Sequence, residues 1–380
     1  MTTGVYIHIP FCHQICNYCD FNKVFFKNQP VDEYIESLGK EMALAVSKNP
    51  AAYKEIQTIF LGGGTPTALS AEQLERLLTL IQTHIPMKHV IEFSTEANPD
   101  ELTIEKLRVL KAFGINRLSL GVQSFDTELL KKLGRTHAPE QVIETIRQAK
   151  EVGFTNISID LMYGLPGQTM EQWQNTLNQA FALDLPHYSA YSLIVEPKTI
   201  FFNLMNKGKL PLPGEDSEAA MYALLMKEME KRGLHQYEIS NFGRTNFESK
   251  HNLIYWDNDE YAGFGAGASG YVSSTRYTNH GPLKKYMDCI EAGELPIHHE
   301  HDVTEKEKIE EELFLGLRKT AGINKQHFYE RYGKQVHDVF EKQINSLTEA
   351  GLLIEDEQAI YLSHQGKFVG NEVFQEFLID

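Results

Sequence analysis

The sequence has few cysteines, no long apolar run and no excess of basic residues. Four cysteines in 380 residues are too few for the disulfide framework of a small secreted protein. No stretch approaches the roughly 20 apolar residues that a membrane-spanning helix needs, and no basic stretch of a signal peptide precedes the first apolar run. We therefore expect a cytoplasmic protein without a transmembrane segment.

The charge of the chain is strongly acidic. Acidic residues outnumber basic residues by 52 to 36, which gives a formal net charge of −16. Such a surface repels the phosphates of nucleic acids, and no long run of lysine and arginine offsets it. We expect no nucleic-acid partner. Peripheral association of a cytoplasmic protein with a membrane stays an open alternative, although the sequence contains no amphipathic basic helix that would support it.

The first half of the chain alternates between short apolar runs and longer amphipathic stretches. The apolar runs predict six strands, at residues 4–10, 58–63, 91–98, 115–122, 157–164 and 187–195. Stretches with helical periodicity lie between them, at residues 31–46, 70–85 and 138–153. This alternation predicts an α/β protein with a parallel sheet. Polar or glycine-rich residues follow nearly every strand, which favours an incomplete (β/α)6 barrel over an open Rossmann-like sheet.

The regular alternation stops near residue 200. We expect a barrel domain at residues 1–220, a mixed, loop-rich domain at 221–300 and a helical module at 301–380. The glycine-rich run "AGFGAGASG" at 262–270 predicts a tight turn, since no β-α unit frames it as a nucleotide loop. The pattern of the last module, two helices followed by "GLLIEDEQAIYLSHQG", is winged-helix-like. The acidic charge favours a packing or protein-interaction role for it over DNA binding.

Three of the four cysteines lie in one short loop after the first predicted strand. Cys12, Cys16 and Cys19 follow the spacing Cys-x3-Cys-x2-Cys in "PFCHQICNYCDF". A structural zinc site usually takes four nitrogen or sulfur ligands, commonly in two separated pairs, and His8 or His13 could complete such a site here. Three thiolates on one loop better suit a cubane [4Fe–4S] cluster whose fourth iron stays open to a small ligand.

This loop resembles that of the radical S-adenosylmethionine superfamily. In that superfamily three cysteines hold a [4Fe–4S] cluster, the open iron binds the amino and carboxylate groups of S-adenosylmethionine, and one electron cleaves the cofactor to a 5′-deoxyadenosyl radical. Tyr18, between the second and third cysteines, matches the same pattern. Further motifs resemble the oxygen-independent coproporphyrinogen III oxidase group, namely "GVYIHIPFC", "LGGGTPT", "STEANP", "LSLGVQSF", "LGRTH" and "IDLMYGLPGQT".

The resemblance also implies which residues bind S-adenosylmethionine. Taken alone, "GGGTP" could be a tight turn, and each charged residue near a strand end could belong to a structural ion pair. By their places in the family motifs, the cofactor-binding residues are Tyr6, Tyr18, Gly63, Gly64, Thr65, Glu96, Gln123, Arg135 and Asp160. The sequence thus predicts S-adenosylmethionine beside a cluster on the three cysteines.

Two departures separate the chain from the oxidase itself. The oxidase has a fourth cysteine two residues after the third, where this chain has Phe21. The oxidase also has an N-terminal extension, whereas this chain begins five residues before Tyr6. Both departures argue against oxidative decarboxylation of coproporphyrinogen III, which stays the alternative function.

The same departures resemble a sister group of heme chaperones, which bind heme and deliver it to hemoproteins. Their hallmark is a His-Asn-x-x-Tyr-Trp motif, and this sequence has "HNLIYW" at 251–256. The imidazole of His251 can coordinate iron, and the rings of Tyr255 and Trp256 can cover a macrocycle. The same three residues can instead be a loop histidine and two core anchors. We expect a heme chaperone whose cofactors are the cluster, S-adenosylmethionine and heme. Its expected partners are heme-accepting proteins, with membrane respiratory enzymes among the candidates.

Overall fold

The computed structural model describes residues 2–378 of the chain. Parallel strands alternate with helices over its first two hundred residues. The strands there are β1 (Gly4–Ile9), β2 (Phe11–Cys12), β3 (Val24–Phe25), β4 (Thr58–Gly63), β5 (Glu92–Ala97), β6 (Arg117–Gln123), β7 (Asn156–Tyr163) and β8 (His187–Ser192). The helices are α1 (Val31–Lys48), α2 (Ala71–His84), α3 (Ile104–Ala112), α4 (Thr127–Leu133), α5 (Pro139–Val152), α6 (Met170–Ala182), α7 (Ile200–Asn206) and α8 (Glu215–Glu230), with a 3₁₀ turn at Pro66–Ala68.

All six strands predicted from the sequence are present, and they pair in parallel in the order β1-β4-β5-β6-β7-β8. Within residues 2–378 no pairing joins the two ends of this run, so the barrel stays open. Local capping residues mark the ends of helices in this region. Ser70 and Gln73 form a capping box at the start of α2, and Gly153 ends α5 with φ 100°.

The middle of the chain extends both edges of this sheet. It contains β9 (His235–Glu238), β10 (Asn241–Gly243), α9 (Lys250–Trp256), β11 (Tyr261–Phe264), β12 (Ser269–Val272), β13 (Thr275–Asn279), α10 (Leu283–Glu291) and β14 (Ile297–Asp302). The antiparallel strands β10 and β9 follow β8, whereas β11 pairs in parallel with β1 and carries β12, β13 and β14 beyond it. The sequence did not predict β11 as a parallel strand. A turn with Gly265 and Gly267 at positive φ follows β11, inside the glycine-rich run.

The last part of the chain packs around a hydrophobic core of its own. It consists of α11 (Glu305–Gly316), β15 (Ile323–Asn324), α12 (Lys325–Tyr332), α13 (Val336–Glu349), β16 (Leu353–Glu355), β17 (Ala359–Leu362), a 3₁₀ turn at Gly366–Val369 and α14 (Gly370–Gln375). Helices α11 to α13 and the sheet β15-β17-β16 confirm the winged-helix-like prediction. The main core, in contrast, includes side chains from both the barrel strands and the middle region. The domain boundaries at 220 and 300 stay predictions.

None of the helices in residues 2–378 combines the length and apolar character that crossing a bilayer requires.

Candidate functional site

The cysteine loop lies at the carboxyl end of the parallel strands. It is anchored by short pairing of β2 with β3, which brings Cys12 beside Phe25. Backbone hydrogen bonds join Asn17 to Leu133 at 2.9 Å and Phe201 to Asn17 at 3.0 Å. Cys12 is buried, whereas Cys16 and Cys19 are partly exposed, and all three are free thiols. The loop therefore presents three sulfur atoms from a backbone that is fixed along its length.

The glycine turn after β4 closes on this loop. Gly63 has φ 112°, and a Cβ atom there would lie 2.4 Å from the ring of His8. A Cβ atom on Gly64 would lie 2.8 Å from the backbone of the cysteine loop, so both positions require glycine. The next residue, Thr65, donates its hydroxyl to the Sγ atom of Cys12 at 3.6 Å. Burial raises the pKa of Cys12 to about 11, and the Thr65 hydrogen bond opposes that rise.

Two carboxyl groups face the same space from β5 and β7. Glu96 accepts a hydrogen bond from the Gly63 amide at 3.0 Å, and Asp160 accepts one from the Ser119 hydroxyl at 3.0 Å. Burial, and then the charge of Asp160, raise the pKa of Glu96 to about 8. Burial also raises the pKa of Asp160 above its usual value, against the Ser119 hydrogen bond. A bound cation would favour ionisation of both groups, so the pair suits a ligand with ammonium or sulfonium charge.

An irregular pairing between β6 and β7 directs Gln123 into the same space. The register shifts between Gly121 and Gln123, and Gln123 has φ 65°, which is unfavourable for a residue with a side chain. Arg135 lies close by, after α4, and donates to the Sγ atom of Cys16 at 3.5 Å and to Asn98 Oδ1 at 2.8 Å. Although burial alone would lower it, the pKa of Arg135 is raised by neighbouring Tyr18 and Cys16.

Most of the predicted residues line one cavity. Those that do are Cys12, Cys16, Tyr18, Cys19, Gly63, Gly64, Thr65, Glu96, Gln123, Arg135 and Asp160. Tyr6 does not line it, because the Tyr6 phenol donates to or accepts from His8 Nδ1 at 2.9 Å and its ring stacks on Phe60. The sequence missed Asn98 and Ser119, which also line the cavity. The signal for Asn98 was its place in "STEANP", two residues beyond Glu96.

The histidines near the loop are engaged elsewhere. His8 Nε2 lies 2.7 Å from the carbonyl oxygen of Asn22, in addition to the Tyr6 contact at Nδ1. His13 Nε2 lies 3.3 Å from the carbonyl oxygen of Ala68. In the part of the chain that is described, no three Cys, His, Asp or Glu side chains form a site for a single metal ion. Three free thiols around one cavity, with no histidine aimed among them, fit a larger cluster better than mononuclear zinc.

The "HNLIYW" segment forms helix α9, at the opposite end of the strands. His251 is buried, and its Nδ1 lies 2.7 Å from the hydroxyl of Thr58, the first residue of β4. Its Nε2 lies 2.9 Å from the Tyr255 hydroxyl. Burial, and then the charge of Arg117, lower the pKa of His251 to about 3. Both ring nitrogens thus have protein partners, and His251 cannot coordinate iron in this conformation. The cysteine cavity and this segment are separate sites.

Tyr255 and Trp256 differ from His251 in their surroundings. Tyr255 lines a cavity of about 360 Å³ together with Tyr261, Tyr271 and Arg276. The ring of Tyr255 packs edge-on against Tyr261, with centroids 4.7 Å apart. The guanidinium carbon of Arg318 lies over the indole ring of Trp256, 4.6 Å from the ring centroid. The buried Nε1 atom of Trp256 has no hydrogen-bond partner among residues 2–378. The motif therefore places one phenol at an open cavity and leaves one indole donor unsatisfied.

Comparison with known proteins places this arrangement in a family. Residues 6–180 match the family model of the Radical SAM superfamily, and residues 303–369 match that of the HemN C-terminal domain. The heme chaperone HemW of Bacillus subtilis (strain 168) is 53% identical over 99% of both chains. The heme chaperone HemW of Lactococcus lactis is 46% identical over 99% of this chain and 97% of its own. The solved coproporphyrinogen III oxidase (HemN) of Escherichia coli has the same fold, with a TM-score of 0.85 at 24% identity over 99% of this chain and 90% of that one.

The fold and the family match define a member of the radical SAM superfamily, a family that implies a [4Fe–4S] cluster and S-adenosylmethionine. Within that superfamily, the chain belongs to the family of proteins named heme chaperone HemW.

Proposed function

We propose that the protein is a heme chaperone that carries a [4Fe–4S] cluster on Cys12, Cys16 and Cys19 and binds S-adenosylmethionine beside it. The observation that carries this proposal is the single cavity in which three free thiols meet the glycine turn, two half-buried carboxyl groups and a half-buried arginine. When bound, the cluster would supply one electron at a time and an open iron for the amino acid end of the cofactor.

The side chains of the cavity have distinct parts in this proposal. Gly63 and Gly64 line the cavity without side chains, and because their amides are already bonded to Glu96 and to the Ile9 carbonyl, they contribute close approach of the ligand to the backbone. Glu96 and Asp160 balance the positive charge of a sulfonium or ammonium group. Arg135 balances the negative charge of the thiolates, since its Nη1 already lies 3.5 Å from Cys16 Sγ. Phe21 lies at the rim of the cysteine cavity and is 60% exposed. It occupies the position at which the oxidase has a fourth cysteine.

Heme binding is proposed at the α9 end of the protein and not at the cysteine cavity. The family relatives bear the name heme chaperone, and "HNLIYW" is the segment that the resemblance assigns to heme. Tyr255 faces the 360 Å³ cavity, which also contains Tyr261, Tyr271 and the cation of Arg276. Aromatic faces suit a flat macrocycle, and the guanidinium of Arg276, paired with Glu311 at 2.6 Å, lies beside them. His251 would act there by holding the phenol of Tyr255.

Heme titration tests this proposal. Anaerobically reconstituted protein is titrated with hemin while the Soret band is followed, in the wild type, His251→Ala, Tyr255→Ala and the exposed-histidine control His299→Ala. We expect saturable one-to-one binding that weakens in the first two variants and not in the control. The same loaded protein should then transfer heme to the heme-free form of a hemoprotein. Undiminished binding in both α9 variants would move the heme site elsewhere, and no saturable binding would contradict the chaperone.

The part played by S-adenosylmethionine is a further hypothesis. We propose that it acts as a structural or regulatory ligand and is not consumed in each heme transfer. Chromatographic measurement of 5′-deoxyadenosine during transfer should then show far less product than heme moved. Steady 5′-deoxyadenosine formation together with conversion of coproporphyrinogen III to protoporphyrinogen IX would instead establish the oxidase, the alternative function.

A further inference from the structure

One continuous chain of hydrogen bonds joins two of the three cysteines. Thr65 Oγ1 donates to Cys12 Sγ at 3.6 Å, and Asn98 Nδ2 donates to Thr65 Oγ1 at 3.2 Å. On the other side, Arg135 Nη2 donates to Asn98 Oδ1 at 2.8 Å, while its Nη1 donates to Cys16 Sγ at 3.5 Å. We call these three residues, Thr65, Asn98 and Arg135, the Asn98 network. Its members come from the ends of β4 and β5 and from the loop after α4.

The direction of every bond in this network is fixed by the chemistry of its members. A guanidinium can only donate, so Arg135 must contact the carbonyl oxygen of the Asn98 side chain. The Asn98 NH₂ group then points to Thr65 and occupies a lone pair of the hydroxyl oxygen. The Thr65 proton is left for Cys12, and a hydroxyl that accepts one hydrogen bond donates a stronger one. Asn98 is thus the residue that orients the donors of both sulfur atoms.

The backbone holds Asn98 in this position independently of the cysteines. Its amide nitrogen donates to Thr67 Oγ1 at 3.2 Å, and its carbonyl accepts from the Glu101 amide at 3.1 Å. Its Nδ2 atom also lies 3.5 Å from Glu101 Oε2. The side chain is therefore already oriented toward Thr65 and Arg135 before a cluster is bound.

Hydrogen bonds to the sulfur ligands of an iron–sulfur cluster favour its reduced form, because they offset the negative charge that the added electron brings. We propose that Asn98 is a positioning residue that raises the reduction potential of the cluster by directing donors onto Cys12 and Cys16. This inference rests on the proposed cluster site and adds a function to a residue outside the predicted set. Asn98 acts through Thr65 and Arg135 and needs no contact with iron.

Anaerobic redox titration with dithionite tests the role of Asn98. The amount of reduced cluster is followed by its paramagnetic resonance signal in the wild type, Thr65→Val, Asn98→Leu and the double variant. We expect each single variant to lower the ratio of reduced to oxidised cluster about tenfold at a fixed potential, which is about 59 mV for a one-electron couple. Thr79→Val is the matched control, since Thr79 is an exposed residue of α2 whose hydroxyl donates to the Glu75 carbonyl outside the cavity, and the potential of this variant should not change.

The double variant decides whether the two residues act together. If Asn98 works through Thr65, the shift in the double variant is smaller than the sum of the two single shifts. Full iron content with unchanged potentials in Thr65→Val and Asn98→Leu would overturn the inference, and so would fully additive shifts. If Asn98→Leu fails to fold, an unchanged potential in Thr65→Val alone overturns it. Wild-type protein that takes up no cluster would overturn the proposed function together with this inference. Full cluster content with unchanged potentials would overturn this inference alone.

Discussion

Glu92 and Glu96 lie four residues apart on β5, yet their carboxyl groups differ in the number of hydrogen bonds that they accept from the protein. Glu92 accepts hydrogen bonds from the amides of Lys250 and His251, at 2.9 Å and 3.1 Å, and from the Ser94 hydroxyl at 3.2 Å. Glu96 accepts one, from the Gly63 amide at 3.0 Å. Helix α9 thus covers the buried Glu92 at the amino end of the sheet with its own backbone, whereas the carboxyl end keeps the half-buried Glu96 at an open cavity.

The difference separates structural polar residues from residues that await a ligand. A buried carboxylate with several protein donors is already stabilised and has little capacity left for another partner. A buried carboxyl group with one donor and a raised pKa is poised to ionise when a cation arrives. The same comparison explains why His251, with Thr58 and Tyr255 on its two ring nitrogens, positions Tyr255 and is not itself a ligand-binding group.

Among the substitutions that test this difference between the two ends of the sheet, replacement of a loop cysteine should have the largest effect, which is the loss of the cluster. We expect Cys12→Ala to lose essentially all iron and sulfide after anaerobic reconstitution, because two thiolates cannot hold a cubane cluster. The matched control is Cys289→Ala, since Cys289 lies on α10, outside the cavity. Iron analysis and the absorbance near 400 nm measure the outcome. Equal iron loss in Cys289→Ala would show that the loop alone does not form the site.

Replacing Glu92 should destabilise the fold and leave the cluster site intact. Glu92→Gln converts one accepting oxygen into a donor that faces amide donors of α9, so we expect the free energy of unfolding to fall by about 3 kcal/mol. Urea unfolding monitored by circular dichroism gives this value, and iron content should match that of the wild type. A variant as stable as the wild type would mean that α9 is held by its apolar contacts alone.

The elements with local signals were predictable from the sequence, and the contacts between distant segments were not. The limits of β1 and the capping box of α2 follow from periodicity and neighbouring residues. Strand β11 has four residues, three of them in the glycine-rich run, and its parallel partner is β1, more than 250 residues earlier. Its prediction would have required knowledge of that pairing.

The same reasoning applies to the site. The motifs predicted most of the residues around the cavity, because each motif ends a strand at the same edge of the sheet. They could not show that Tyr6 bonds to His8, or that His251 lies under Thr58 at the other edge. The role of Asn98 was not predicted, because a neutral amide has no charge to mark it. Its role depends on Thr65 and Arg135, which only the fold brings within hydrogen-bond distance.

Glu41 is an exception to the generalisation that several hydrogen-bond donors stabilise a buried carboxylate. It accepts hydrogen bonds from the Gly265 amide, from Asn279 and from Tyr286, yet burial raises its pKa to about 7, against those bonds. A carboxyl group whose pKa is higher in the folded state contributes stability that is complete at low pH and is lost as pH rises. We therefore expect the free energy of unfolding to fall by about 2 kcal/mol between pH 5 and pH 8 because of Glu41.

The variant Glu41→Gln isolates this contribution, since glutamine does not titrate. The difference in unfolding free energy between Glu41→Gln and the wild type should shift in favour of the variant by that amount as pH rises. Urea titrations at pH 5, 6, 7 and 8 measure it. A difference that stays constant across this range would show that the surrounding donors hold Glu41 ionised.

The smallest expected effect is on the pH dependence of S-adenosylmethionine binding. Because burial raises the pKa of Glu96 to about 8, the group holds a proton at pH 7 and must release it to pair with a cationic ligand. Affinity should therefore rise about tenfold between pH 7 and pH 9, with release of a proton. Calorimetric titration of the cluster-loaded protein in two buffers of different ionisation enthalpy measures both quantities. In Glu96→Gln the rise should disappear apart from the titration of the cofactor's own amino group. An unchanged rise in that variant would assign the proton to another residue, and Asp160 would be the next to replace.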